Sequence, residues 1–433
     1  MHHRVLIVGT IPYNKNTSSR AFDAYFHNWE KENIRQIFSN TKTPVKGHCG
    51  SLYQITDQRL LKKRFRKNEE AGKIFSYDEL PDEWENNDLE VESRFIDKLY
   101  KIGSKDTPLK YLLRKQLWNK KYWNTEKLNG WLDEFKPECV FLAFSDDFFI
   151  PEIALYVAEK YNIPIMSCIG DDYYFNNKLS FSPFYFIYRK KYKNLIKNIF
   201  KHRGSAIYIS DKIRDKYNSE FGLNGETVYL TSDIKRREFK EINVNNPLIT
   251  YCGNIRLGRN KSLSDIGRAL YEINSEYKLS IYSAEKNSEY ISVLKGKPGV
   301  EYCGAVPYKE VMRVMHDSDI VVIAEGFEKK NVIITKYSLS TKAADAMATG
   351  GQILVYGDSD CGVVGYMEST DCSVVCTKKN IEALKQKILE LLNNRELQMK
   401  LYQTSEKISV EHHSKQRNLE LCEKMFNDLI EKG

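Results

Sequence analysis

A chain of 433 residues is too long for one ordinary core, and at roughly 100–200 residues per domain two domains are expected. Its 42% hydrophobic and 29% charged residues exclude a disordered chain, and no apolar run approaches the ~20 residues of a membrane helix. The net charge of +8 admits anionic partners such as nucleotide diphosphates or acidic lipid, and no nucleic-acid recognition motif accompanies it.

The start, MHHRVLIVGTIP, lacks the length and cleavage pattern of a signal peptide and reads as a buried first strand ending at Gly9. The dinucleotide fingerprint is absent, because the second and third glycines of G-x-G-x-x-G are missing, although Gly9 still lets backbone approach a ligand. A helix over 19–30 places Phe22, Phe26 and Trp29 on one face. Residues 40–130 are polar, strand-poor and helix-rich, and read as an insertion. The remaining strands of the first half are 34–39, 139–144, 163–169, 206–210 and 227–230, with helices at 151–161 and 211–221. Two of these strands end in paired carboxylates, Asp146-Asp147 and Gly170-Asp171-Asp172. Such residues either bind sugar or acceptor hydroxyls in a cleft or cap helices as loop residues.

A charge-rich linker is expected over 231–247, and the strand–helix alternation then restarts with strands at 248–253, 279–283, 300–305, 319–325, 352–357 and 372–377. The strand ending at Gly253-Asn254 is followed by Arg256, Arg259 and Lys261, three cations suited to a diphosphate or to a solvated loop. Further on, Ser340, Thr341 and Lys342 open a helix whose free N–H groups suit phosphate. Asp345, one turn in, either reaches a ribose diol or stands exposed on the helix. The Asp-x-Asp pairs Asp317-Ser-Asp319 and Asp358-Ser-Asp360 read as a structural turn and a solvated loop, so no metal is expected. The nine cysteines are scattered and odd in number, as reduced cytosolic thiols are.

These segments, in this order, resemble the donor domain of retaining family 4 glycosyltransferases. There, a strand-end glycine is followed by Arg and, five residues later, Lys, as Arg256 and Lys261 are here. The helix Ala344-Asp345-Ala346-Met347-Ala348-Thr349-Gly350 is similar to the family's Leu-Glu-Ala-Met-Ala-x-Gly, and Ser340-Thr341-Lys342 resembles the variant of polysaccharide-forming members. The family often carries two Glu separated by seven residues. Here Asp345 takes the second position and Tyr337 the first. Glu325-Gly326-Phe327 matches the family's Glu-Gly-Phe but lies twenty residues before Asp345, and is read as coincidence. The family's first-domain His is replaced at Gly170-Asp171.

The resemblance implies an α/β GT-B fold, two Rossmann-like domains facing across a cleft. The expected division is an acceptor domain over 1–245, with a C-terminal helix from 406–433 packing back on it, and a nucleotide-sugar donor domain over 246–405. It implies a retaining hexosyltransferase without metal or cofactor, whose donor phosphate oxygen helps take the acceptor's proton. Gly9, Gly253, Asn254, Arg256, Lys261, Ser340, Thr341, Lys342 and Asp345 would bind the nucleotide-diphosphate sugar, with Arg256, Lys261 and Asp171 catalytic. A glycan, lipid-linked or protein acceptor is expected, in polysaccharide biosynthesis. The expected location is cytoplasmic, peripheral on the inner face of the membrane. Segments 60–67, 109–123 and 184–203 mix cations with apolar and aromatic groups, and either lie on an anionic bilayer or are ordinary helices with one solvated face. The rival readings are a nucleotide-sugar epimerase or hydrolase of the same fold, or a non-catalytic partner subunit.

Overall fold

The computed structural model describes residues 2–13, 19–66, 68–82, 108–175 and 181–431. They form two compact units, Met1–Val228 with Gln416–Gly433, and Tyr229–Lys415.

The first unit is built on an eight-stranded sheet of described residues in the order β4-β3-β2-β1-β5-β6-β7-β8. Its strands are β1 (Val5–Val8), β2 (Ile34–Phe38), β3 (Ser51–Ile55), β4 (Gly72–Ser76), β5 (Cys139–Ala143), β6 (Ile165–Ile169), β7 (Gly204–Tyr208) and β8 (Glu226–Thr227). All pairs are parallel except β3 with β4. The apolar runs form strands because helices cover both sheet faces, so every side chain of β1 is buried. The chain moves outward from β1 through β2 and β3, then returns to β5 on the other side, which puts the topological switch between β1 and β5. The last helix, Lys415–Glu431, belongs to this unit, and Phe426 packs on Phe26, Trp29 and Phe141.

The expectation of a strand-poor insertion over 40–130 is corrected by β3 and β4. They escape a sequence reading because β3, Ser-Leu-Tyr-Gln-Ile, carries Gln54 at a buried position, where its amide donates to the carbonyls of Asn40 and Lys42. Residues 83–107 of that insertion lie outside the described residues.

The second unit carries a parallel sheet in the order β11-β10-β9-β12-β13-β14. Here β9 is Ile249–Cys252, β10 Leu279–Tyr282, β11 Val300–Gly304, β12 Ile320–Ala324, β13 Gln352–Tyr356 and β14 Val374–Cys376. The switch point falls between β9 and β12. Leu263, Ile266 and Leu270 of the Arg259–Ile273 helix meet Leu384, Ile388 and Leu391 of the Ile381–Asn393 helix in the core. The unit starts at Tyr229, ahead of the expected 245/246 boundary, because the stretch read as a linker is anchored. The Arg236 guanidinium donates to the carbonyls of Met347 and Tyr402, and Arg237 donates to that of Ser318. All nine cysteines are free thiols.

Candidate functional site

The carboxyl ends of β9 and β12 flank the switch point of the second unit, and the chemistry gathers there. Gly253 leaves β9 with φ +139, a conformation few side chains adopt. A Cβ at this position would sit 2.4 Å from Lys342 Cε, so the glycine also makes room for that lysine. The turn continues through Leu257 (φ +58) and Gly258 (φ +81) before the Arg259–Ile273 helix begins. A bulky residue at positive φ is a local strain, located in the loop that carries Arg256.

Lys342 comes from the Thr341–Thr349 helix, whose N-cap is Ser340; the Ser340 hydroxyl accepts the Lys342 N–H. The Lys342 ammonium donates to the Tyr251 hydroxyl at 2.6 Å and lies 4.2 Å from that ring's centre. Burial, followed by the nearby Arg259 guanidinium, pushes its pKa down to about 7, against the opposing pull of Glu325 and Cys252. Arg259 forks onto Glu325 at 3.1 and 2.8 Å, and Glu325, at the end of β12, also accepts the Ser262 hydroxyl at its carbonyl.

The two expected diphosphate cations are held by carboxylates. Arg256 donates to both oxygens of Glu285, at 2.5 and 3.0 Å, and lies beside Tyr290. Lys261 meets Glu328 at 2.7 Å, and Glu328 is also held by Asn331. Asn254 is exposed and caps the turn by accepting the Arg256 N–H. Thr341 is exposed at the helix start.

Asp345 is buried, not exposed on its helix, and accepts the Ser232 hydroxyl at 2.7 Å. Glu325, read from the sequence as a coincidental match, stands in the site through Arg259. Glu285, Glu328 and Tyr251 carried no motif. The Asp-x-Asp carboxylates are engaged elsewhere: Asp319 accepts the Leu248 N–H and meets Lys240, and Asp358 accepts the Asp360 N–H.

In the first unit, Gly9 ends β1 at the switch point, and a Cβ there would stand 3.0 Å from that of Ala143. Its small size therefore serves the packing of β1 against β5. Asp171 is exposed, and together with burial its carboxylate raises the Tyr173 pKa. Asp172 is buried and organises its own loop, accepting from the Tyr174 and Phe175 N–H groups and the Tyr217 hydroxyl. Asp147 shares Arg114 with Asp57, and burial pushes its carboxyl up to about 6.

The parallel sheet thus brings three cations and a helix start to its switch point. Residues 233–408 match the family described as glycosyl transferases group 1, and the fold is that of GT-B glycosyltransferase structures. No curated protein sequence matches the chain. Among solved structures, HepE of Anabaena in complex with UDP is similar at TM-score 0.60 and 11% identity, over 98% of this chain and 100% of that one. A glycosyltransferase from Rickettsia africae gives TM-score 0.55 at 12% identity, covering 100% of both chains. The sucrose-phosphate synthase of Thermosynechococcus elongatus gives 0.58 at 11%, covering 99% of both.

Proposed function

We propose that the protein transfers a sugar, with retention, from a nucleotide-diphosphate donor to a glycan, lipid-linked or protein acceptor. The observation that carries this reading is the cationic edge of the second unit, where Lys342 and the start of its helix meet Gly253 and are flanked by Arg256, Arg259 and Lys261. The diphosphate lies along this edge. Negative charge grows on it as the glycosidic bond breaks, and fixed cations and N–H groups stabilise that charge without reorganising. A donor phosphate oxygen helps take the acceptor's proton, and Asp171 positions the sugar or acceptor. With cations and N–H groups covering the diphosphate charge, transfer proceeds without a metal. The UDP bound to the similar Anabaena protein supports a nucleotide donor.

The acceptor reading favours work in polysaccharide formation at the cytoplasmic face of a membrane. Among the described residues, no helix is long and apolar enough to cross one. The Pro183–Lys201 helix instead presents Phe184, Phe186 and Ile187 to solvent beside exposed Lys190 and Lys191, with Phe181 fully exposed just ahead of it. Apolar groups beside cations suit an anionic interface.

The direct test incubates the purified protein with a panel of nucleotide-diphosphate sugars. Thermal stabilisation selects the donor, and donor consumption is then followed with and without glycan or lipid-linked acceptors. Transfer that depends on an acceptor and survives EDTA is the expected result. Conversion of donor without acceptor would replace this reading with an epimerase or hydrolase.

A further inference from the structure

Three metal-ligating side chains converge in the first unit, whereas the residues assigned to the donor diphosphate belong to the second. Asp23 and His27 are four residues apart, at the end of the Ser19–Phe26 helix and just beyond it, a spacing that sets side chains one above the other. His48 comes from the loop that leads into β3. One carboxylate oxygen of Asp23 and one nitrogen of each imidazole lie within 4.8 Å of one another. His48 Nε2 is 3.4 Å from Asp23 Oδ1, and the two rings are centred 5.8 Å apart.

The cluster has a supporting layer. The Tyr13 hydroxyl donates to Asp23 Oδ1 at 2.7 Å, which fixes the carboxylate. The Tyr13 ring stacks on His48, with centres 5.0 Å apart and planes 21° from parallel. Tyr13 is itself buried, packs on Phe22 and Phe26, and is tied through its N–H to Gln36 on β2. Contacts of this kind orient the groups that bind a metal. Asp23 and His48 are partly buried and His27 is exposed, so the cluster has both a fixed side and an open one.

We infer that Asp23, His27 and His48 bind one divalent transition-metal ion of the zinc and cobalt type. Two imidazoles and one carboxylate suit such ions better than magnesium or calcium, which take oxygen ligands. Metal–ligand distances of about 2.0–2.2 Å require the three groups to draw together, and the exposed His27 is free to swing inward. The remaining positions go to water or to an external ligand. The bound ion ties the Ser19–Phe26 helix to the loop before β3 and raises the stability of the first unit.

The test uses the full chain, stripped with chelator and titrated with zinc or cobalt by calorimetry. The parent protein, His27→Ala, His48→Ala and Asp23→Asn are compared with Cys303, the exposed thiol, blocked in all of them. One equivalent of metal is expected, with affinity lowered roughly 10- to 100-fold in each variant, a Tm rise on zinc confined to the parent, and a cobalt spectrum free of sulfur charge-transfer absorption. His27→Ala removes an exposed side chain, so its circular dichroism should match that of the parent. Absence of binding to the parent, or parent-like affinity in both folded histidine variants, overturns the inference and leaves an ordinary Asp23–His48 ion pair.

Discussion

Arg256 stands at the proposed donor edge with its guanidinium forked onto Glu285, a pair in which the arginine is 55% exposed and the glutamate 5%. The Arg256 hydrogen bond, followed by the Asn287 N–H, lowers the Glu285 pKa to about 2, so the carboxylate is ionised at neutral pH. A donor diphosphate must therefore compete with a fixed negative charge for this arginine.

The competition makes a signed prediction. Glu285→Gln keeps an oxygen for the Lys286 and Asn287 N–H groups but removes the charge, so nucleotide-diphosphate affinity should rise several-fold. Arg256→Ala and Lys261→Ala should each lower kcat/KM by roughly 10- to 100-fold, the range for a lost hydrogen bond to a charged group. Calorimetry with the nucleotide diphosphate and initial rates with the donor read both effects. If all three variants stay within two-fold of the parent, these cations are ordinary surface ion pairs.

Lys342 gives the site a pH dependence. With its pKa near 7, the ammonium is partly deprotonated at neutral pH, and a dianion bound beside it would raise that pKa and restore the proton. Below pH 7 the lysine is charged before and after binding. Above it, each binding event takes up a proton, and affinity falls by up to roughly tenfold per pH unit. The groups facing Lys342 are Arg259, Glu325, Cys252 and Tyr251. Calorimetry in buffers of different ionisation enthalpy should show proton uptake at pH 8 in the parent and none in Lys342→Met.

How far these relationships could be read from the sequence depends on range. Strands such as Val5–Val8 and Ile320–Ala324 are visible because burial on both faces makes them apolar throughout. Arg256 and Lys261 could be singled out because they stand five residues apart, just after one strand end, as in the family the sequence resembles. The partners Glu285 and Glu328 lie 29 and 67 residues away, and nothing local marks a carboxylate that will be folded onto a cation. The depressed Lys342 pKa is likewise a product of burial and of Arg259, neither of which is written near it. The metal-ligating cluster escaped for a related reason, because His48 joins Asp23 and His27 only through tertiary packing.

The exposed aromatic end of the Pro183–Lys201 helix predicts membrane attachment. At ~1 kcal/mol per cation near an anionic surface, loss of two lysines costs roughly 30-fold in partitioning. Lys190→Glu with Lys191→Glu should abolish co-sedimentation with vesicles rich in acidic lipid. Phe186→Ser should weaken binding at high salt as well as at low salt, because its contribution is apolar. Equal sedimentation of parent and variants, or none by the parent at low salt, removes the membrane reading.

Gly253 offers the most selective test of the donor edge. Its φ of +139 lies in a region that costs other residues roughly 1–3 kcal/mol, and an added methyl would overlap Lys342 Cε at 2.4 Å. The far end of a lysine is flexible, so Gly253→Ala should displace Lys342 from Tyr251 and leave the sheet folded, since β9 ends one residue earlier. Nucleotide-diphosphate affinity should fall at least tenfold, the proton uptake assigned to Lys342 should disappear, and Tm should drop by only a few degrees. Gly350→Ala provides the control. It too has a positive φ, +74 in the left-handed cap at the far end of the Thr341–Thr349 helix, and an added methyl there would stand 2.7 Å from the Arg237 carbonyl oxygen, so its cost is to stability and not to the diphosphate. If the two variants lose equal stability but only Gly253→Ala loses binding, the strand-end glycine is set by the ligand site. If both lose binding in proportion to stability, Gly253 serves the fold alone.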